Sequence, residues 1–402
     1  MFLIAVLVVG GFAIYVMTPE ERRRALSVVT QRTSTVGRAI AVNLEACTPW
    51  LEALRARAGQ PYLALGIAIV YAAAFSGLVS GAGDPANADT LVRWGATFGP
   101  RTANGEWWRL LTALFLHRNI FSLAIDVLAI LQLGFALERV YGRVAFGCVF
   151  AAAGILANTV HLATHPVAVR TGASGALYGL YGLLIVWAVQ GARAPSELTI
   201  PRAAYRLLVP VAGLFLLTSM LSDSGGLMAN VAALAVGLVS GVAIAGAIQE
   251  NSTAPARIGA IAGSTAVVVV LMAVPSIGTT DVRPEIAHVL DLEARTAAPY
   301  AKAVGQFKLG AASTDALATL IDRQILPELR ETQTRLDQLR GVPPEHRALL
   351  QDAQRYVRLR TESWDLRARA LHSSSMRALR LADAKERESL DAFDQLKAED
   401  GR

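Results

Sequence analysis

Gly172-Ala173-Ser174-Gly175-Ala176-Leu177-Tyr178-Gly179-Leu180-Tyr181-Gly182 opens an uncharged, mostly apolar run that lasts to residue 192. A run of this length is enough to cross a bilayer as a helix, because about 17–25 apolar residues span the hydrocarbon core. The stretch carries two readings. Small residues four apart, such as Gly175 and Gly179, let membrane helices approach closely. A serine in the first turn, flanked by Gly172 and Gly175, also fits a nucleophile that another group must approach.

Seven further stretches read the same way. Residues 62–83, 225–248 and 258–280 are clean candidates, and 2–17, 120–137, 144–160 and 207–222 are shorter; Asp126 is the only charge inside any of them. The chain has 402 residues, 53% hydrophobic and 17% charged, against roughly a quarter charged in an ordinary soluble domain. Of its 70 charged residues, 40 fall in 277–402. This excludes a single soluble domain, a disulfide scaffold and a disordered chain. The expected fold class is all-α: a polytopic membrane helix bundle with a soluble helical C-terminal domain. The division expected is 1–60 as membrane anchor and cytoplasmic amphipathic segment, 61–250 as six-helix core, 251–280 as an additional transmembrane helix, and 281–402 as an extracytoplasmic helical bundle.

Residues 2–17 lack a positive leading region and a small-x-small cleavage site, and Arg22, Arg23 and Arg24 come after them, so an uncleaved anchor with its N-terminus outside is expected. Span counting then puts 18–60 in the cytoplasm, as an amphipathic helix on the membrane surface. Arg139, Arg143, Arg193, Arg202, Arg206 and Arg257 fall in cytoplasmic connections, as the positive-inside rule requires. The tail holds 20 basic and 20 acidic residues, so the net charge of +6 belongs to the front and faces anionic lipid. No basic patch points to nucleic acid, and no metal-ligand spacing or nucleotide loop points to a metal or cofactor. Cys47 and Cys148 are expected as free thiols. In the tail, Leu317, Leu320 and Ile321, then Leu349, Tyr356, Trp364 and Leu371, then Leu379, Leu390 and Phe393 recur at helical spacing, with breaks at Pro343-Pro344 and Ser373–Ser375. Three or four antiparallel helices fit.

Upstream of Ser174 lies Trp107-Trp108-Arg109-Leu110-Leu111-Thr112-Ala113-Leu114-Phe115-Leu116-His117, followed by a span ending in Gly134 with Glu138 and Arg139 beyond it; downstream lies Met228-Ala229-Asn230. In order and spacing, 62–248 resembles the rhomboid family of intramembrane serine proteases. The resemblance implies six core helices around a water-filled cavity. Ser174 then takes the nucleophile position in the motif of Gly172 and Gly175, and Trp108 and Arg109 anchor the first loop. The family's base is a histidine on the sixth core helix, and a histidine and an asparagine on the second help form the oxyanion hole. Here the second-helix positions hold Ser122 and Asp126. The base position holds Ala233, or Leu234 when the alignment follows Gly237 and Gly241. No histidine occurs between 166 and 287.

A serine hydroxyl is a weak nucleophile without a base. The substitutes available are His117 at the mouth of the second core helix, and His161 and His165 near the end of the third; loop packing and a polar interfacial cap are their plainer readings. Ala229, Ala233, Gly237 and Gly241 form a small-residue stripe expected to face Gly175 and Gly179. The expected function is a rhomboid-like pseudoprotease in a bacterial cytoplasmic membrane, binding lipids and the transmembrane helices of other membrane proteins, with a protein partner for the extracytoplasmic tail. The alternative is an active intramembrane serine protease with Ser174 as nucleophile, a non-standard base, and Ser122 and Asp126 lining the hole.

Overall fold

The computed structural model describes residues 41–58, 60–81, 84–222, 226–250, 255–274 and 277–400. The expected anchor at 2–17, the surface segment as far as residue 40 and the connection at 223–225 lie outside the described residues. The chain divides into two compact units at Ile277 and Gly278.

In the first unit, helix α1 (Thr48–Arg57) buries Trp50 and Leu54. Its buried face meets protein: Trp50 stacks on Trp187 with ring centroids 6.0 Å apart. Six helices then have the length and composition to cross a membrane. They are α2 (Tyr62–Gly81), α3 (Ile120–Tyr141), α4 (Arg143–Thr164), α5 (Ser174–Arg193), α6 (Arg202–Ser222) and α7 (Leu227–Glu250). Twenty helical residues reach about 30 Å, the thickness of the hydrocarbon core, and a helix satisfies its own backbone groups where no water can. The unit is thus an all-α bundle with the length of a multi-pass membrane protein, and the described residues contain no strand. Helix α8 (Pro255–Ala273) follows, packing Val269 and Met272 against the Ala153, Leu156 and Val160 face of α4. Among its described residues, Ala262–Ala273 form an apolar helical stretch.

Two features fix the bundle. Gly142 turns α3 directly into α4 with φ of +84°, a value favoured by glycine. Glu138 on α3 is buried and accepts hydrogen bonds from the amides of Leu63 (3.2 Å) and Ala64 (2.5 Å), capping the N-terminus of α2, where negative charge is favoured. The small-residue stripe brings α5 and α7 into backbone contact: a Cβ on Gly237 would collide with the carbonyl of Gly179, and one on Gly182 would lie 2.7 Å from the carbonyl of Leu234. The register differs from the expected one. Gly175 faces Ala157 on α4, so the contact with α7 is made by Gly179 and Gly182, further along the helix.

The second unit contains α9 (Arg283–Lys308), α10 (Thr314–Leu320), a π-helical turn at Ile321–Ile325, α11 (Leu326–Gln338), α12 (Arg347–His372) and α13 (Met376–Asp400). Pro327 lacks the N–H that a continuous α-helix needs, and the π turn lies immediately before it. Taken as one rod, 314–338 brings the number of long elements to four. The breaks fall at Pro343-Pro344, at Ser373–Ser375, where Ser374 has φ of +48°, and also at Gly310 with φ of +73°. Tyr356, Trp364 and Phe393 are buried as the periodicity predicts, whereas Leu390 is exposed. Both cysteines are free thiols.

Candidate functional site

Ser174 is the first residue of α5, and the chain enters it through Gly172, whose φ of +101° keeps side chains out of that turn. The segment before it hangs on the long connection between α2 and α3. Thr97 and Arg170 exchange backbone hydrogen bonds of 3.1 and 3.0 Å. Gly99 donates to the Pro166 carbonyl at 2.8 Å, and Gly172 donates to the Ala113 carbonyl at 2.9 Å. A Cβ on Gly99 would collide with the Pro166 carbonyl, which explains the glycine. Arg109 braces that connection from inside: its buried guanidinium donates to the carbonyls of Val92 and Ala96 (3.2 Å) and pairs with Glu106. Trp108, over which the guanidinium sits at 4.7 Å, is half exposed, as suits an interfacial anchor.

A cavity of about 350 Å³ opens at the end of the bundle where α3 and α5 begin and α4 and α6 finish. Ser122, Asp126, His161, Arg170, Ser174 and Ser219 are on its wall. Arg170 ties three elements together there. Its Nη2 donates to Asn230 Oδ1 on α7 at 3.1 Å and lies 3.5 Å from Ser174 Oγ, while its Nη1 lies 3.3 Å from His161 Nδ1 on α4. Asn230 in turn donates to Ser219 Oγ on α6 at 3.4 Å.

This geometry fixes the tautomer of His161. A guanidinium only donates, so Nδ1 of His161 is the acceptor, and a neutral imidazole accepting at Nδ1 carries its proton on Nε2. That Nε2 is buried without a hydrogen-bond partner among the described residues. Both nitrogens are therefore unsuited to take a proton from Ser174: one lone pair faces Arg170 and the other position already bears hydrogen. Arg170 itself does not lose a proton in proteins.

The remaining predicted residues separate. Asp126 pairs with buried His117 across 3.1 Å, and His117 packs edge-on against Tyr71, so this carboxylate is held toward the α2 side of its helix. The Ser122 hydroxyl donates to the Asn119 carbonyl at 2.9 Å, a local bond in the first turn of α3. His165 stacks on His161 and its Nδ1 lies 2.9 Å from Thr164 Oγ1. Ala233 is fully buried among Ala153, Ala157 and Val160 of α4, while Leu234 is only partly buried. Three side chains of the network were not among the expected site residues: Arg170, Ser219 and Asn230, the last having entered only through the Met228-Ala229-Asn230 motif. The available signal was a lone arginine four residues before the serine and a lone asparagine at the head of an apolar helix.

The Rhomboid domain family matches residues 104–248. Among curated proteins, rhomboid protease GluP of Bacillus subtilis is 42% identical over 103 residues, 26% of this chain and 20% of that protein. Rhomboid-like protease 1 of Toxoplasma gondii is 37% identical over 99 residues, 24% of this chain and 34% of the relative. Rhomboid-like protease 3 of the same organism is 33% identical over 106 residues, 25% and 40%. The chain thus spans well under half the length of these relatives.

Proposed function

We propose that this chain, which carries a Rhomboid domain over residues 104–248, is a pseudoprotease of the rhomboid family, one that receives transmembrane segments or other membrane partners in its cavity without cleaving them efficiently. The observation that carries this reading is the neighbour of Ser174. Its hydroxyl faces a guanidinium at 3.5 Å, a group that donates and never accepts. Loss of the base in a serine–histidine pair costs about a millionfold in rate in a worked serine-protease case, leaving what binding and the oxyanion hole supply. The side chains at the two hole positions are engaged elsewhere as well: Ser122 donates within its own turn and the Asp126 carboxylate pairs with His117. Ala233, one of the two α7 positions where the resemblance puts the base, packs a methyl group against α4.

The reading has a rival in the names of the relatives, which are called proteases, and in Ser174 itself, retained on the cavity wall. The two separate cleanly in one experiment. The full chain, purified in detergent, is treated with a fluorophosphonate probe beside a Ser174→Ala variant. The pseudoprotease reading expects equal, background labelling of both; labelling of the parent that vanishes in the variant establishes the protease instead.

We read the orientation from the short connections, setting aside the long 84–119 connection and its four arginines. Arg139, Arg143, Arg193, Arg202 and Arg206 lie at the end of the bundle away from Ser174. The positive-inside rule assigns that end to the cytoplasm and the cavity to the outside of a bacterial cytoplasmic membrane. On this topology α7 ends on the cytoplasmic side; a further crossing by α8 then puts the tail outside, where it recruits a protein partner.

A further inference from the structure

We infer that the cavity beside Ser174 is a receptor for a phosphate-type oxyanion, supplied by a lipid headgroup or by free phosphate. The inference rests on the reading above only in taking the cavity as a place that binds. Its first support is the orphan donor: His161, a residue of the cavity wall, is 5% exposed, its Nδ1 accepts from Arg170, and its buried Nε2–H has no acceptor among the described residues. A buried donor without a partner costs about 1–3 kcal/mol, a cost that a bound oxygen would offset. The second support is the start of α5. This 20-residue helix begins at the cavity with Ala173 as its N-cap, a residue that supplies no side-chain acceptor to the first amides. Those amides and the helix dipole favour an anion there.

Two guanidinium groups complete the wall. Arg170 stands four residues before Ser174, and Arg118, exposed at the mouth, is steered by a hydrogen bond to the Val169 carbonyl. Arginine presents several N–H groups in a plane and suits phosphate oxygens. Asp126, the one carboxylate among the described residues of the wall, is engaged by His117. The exposed indole of Trp108 lies on the connection that carries this end of the bundle, and exposed tryptophans favour the headgroup level of a bilayer. A lipid phosphate is therefore within reach of the mouth.

The test uses the full chain in a phosphate-free maltoside detergent. Inorganic phosphate and dihexanoyl phosphatidylglycerol are titrated separately by calorimetry, with a dihexanoyl glycerol lacking phosphate as control. Saturable binding of inorganic phosphate assigns the site to the free anion; saturable binding of the phospholipid alone assigns it to a headgroup. In either case Arg118→Gln is expected to weaken affinity at least threefold and His161→Phe about tenfold, while the control does not bind. Arg118 is exposed, so its variant keeps the fold even if His161→Phe does not. Absence of saturable binding by both probes, or binding unchanged in Arg118→Gln and in a folded His161→Phe, overturns the inference. Fluorophosphonate labelling of Ser174 together with intact anion binding would overturn the pseudoprotease reading and leave this one standing.

Discussion

Two buried arginines, one in each unit, are used in opposite ways. In the second unit Arg360 on α12 is 2% exposed and lies between two carboxylates: Glu293 of α9 accepts from its Nε (2.9 Å) and Nη2 (2.5 Å), and Glu386 of α13 accepts from its Nη1 (3.0 Å). Tyr356 donates to Glu293 at 2.6 Å, and Arg367 donates to Glu386 at 2.7 Å. The cluster closes on itself and ties three helices together. Arg170 is as deeply buried, but it lies on a cavity, its contacts to His161 and Ser174 are long, and an orphan donor stands beside it. Burial of an arginine therefore says little about its role. What distinguishes the two is whether the surrounding donors and acceptors are already matched.

The sharpest way to break the contrast is to remove the closed cluster's centre. Arg360→Ala leaves Glu293 and Glu386 facing each other without their shared cation. Removing one partner of a buried ion pair costs about 3–5 kcal/mol. Urea unfolding of the second unit, followed by pulse proteolysis of the full chain in detergent, should show a loss of that order. A loss below about 1 kcal/mol would mean that the cluster is solvated, and the comparison would fail.

The membrane site yields a smaller effect. Ala233→His restores an imidazole on α7, but into a face packed against Ala153 and Ala157. Overpacking of this kind costs about 1–3 kcal/mol, so a lower melting temperature is expected. With Arg170 still beside Ser174, fluorophosphonate labelling should stay at background. Labelling that appears on this one substitution would show that a base alone is lacking and that the arginine does not obstruct the site.

How much of this was legible beforehand depended on the range of the interactions. The helices of the membrane unit announce themselves through long uncharged runs, and the rhomboid resemblance through Trp108-Arg109 and Gly172–Gly175 in order. In the tail, two prolines and three serines mark breaks because their backbone preferences are local. Gly310 is a break of the same kind that apolar periodicity alone did not register. The Arg170 network was not legible, because His161, Asn230 and Ser219 lie 9, 60 and 49 positions away and meet only once four helices are packed. Ser122 shows the converse. Its bond to Asn119 is a first-turn interaction that the sequence permits, yet the family pattern drew attention to a more distant role for the same hydroxyl.

The smallest expected effect concerns acid, and it probes the closed cluster without mutating the arginine. For Glu386, burial alone would raise the carboxyl's pKa, but the hydrogen bonds from Arg360 and Arg367 outweigh it and hold the group below the usual glutamate range. A lowered folded-state pKa means that protons bind the unfolded chain more readily. Its stabilisation is then complete above the unfolded value of about 4.3 and is lost as pH falls through the folded one. His346 is also depressed, by burial and then by nearby Arg283, so its contribution is complete above about 6.5 and declines below that value. Acidification should therefore weaken the second unit in two windows, the upper removed by His346→Phe and the lower by Glu386→Gln. Pulse proteolysis at pH 7.5, about 5.5 and about 3.5 reads both. A second unit that gains stability on acidification would reverse the sign for both groups, and the carboxylates around Arg360 could no longer be counted as the acceptors that close the cluster.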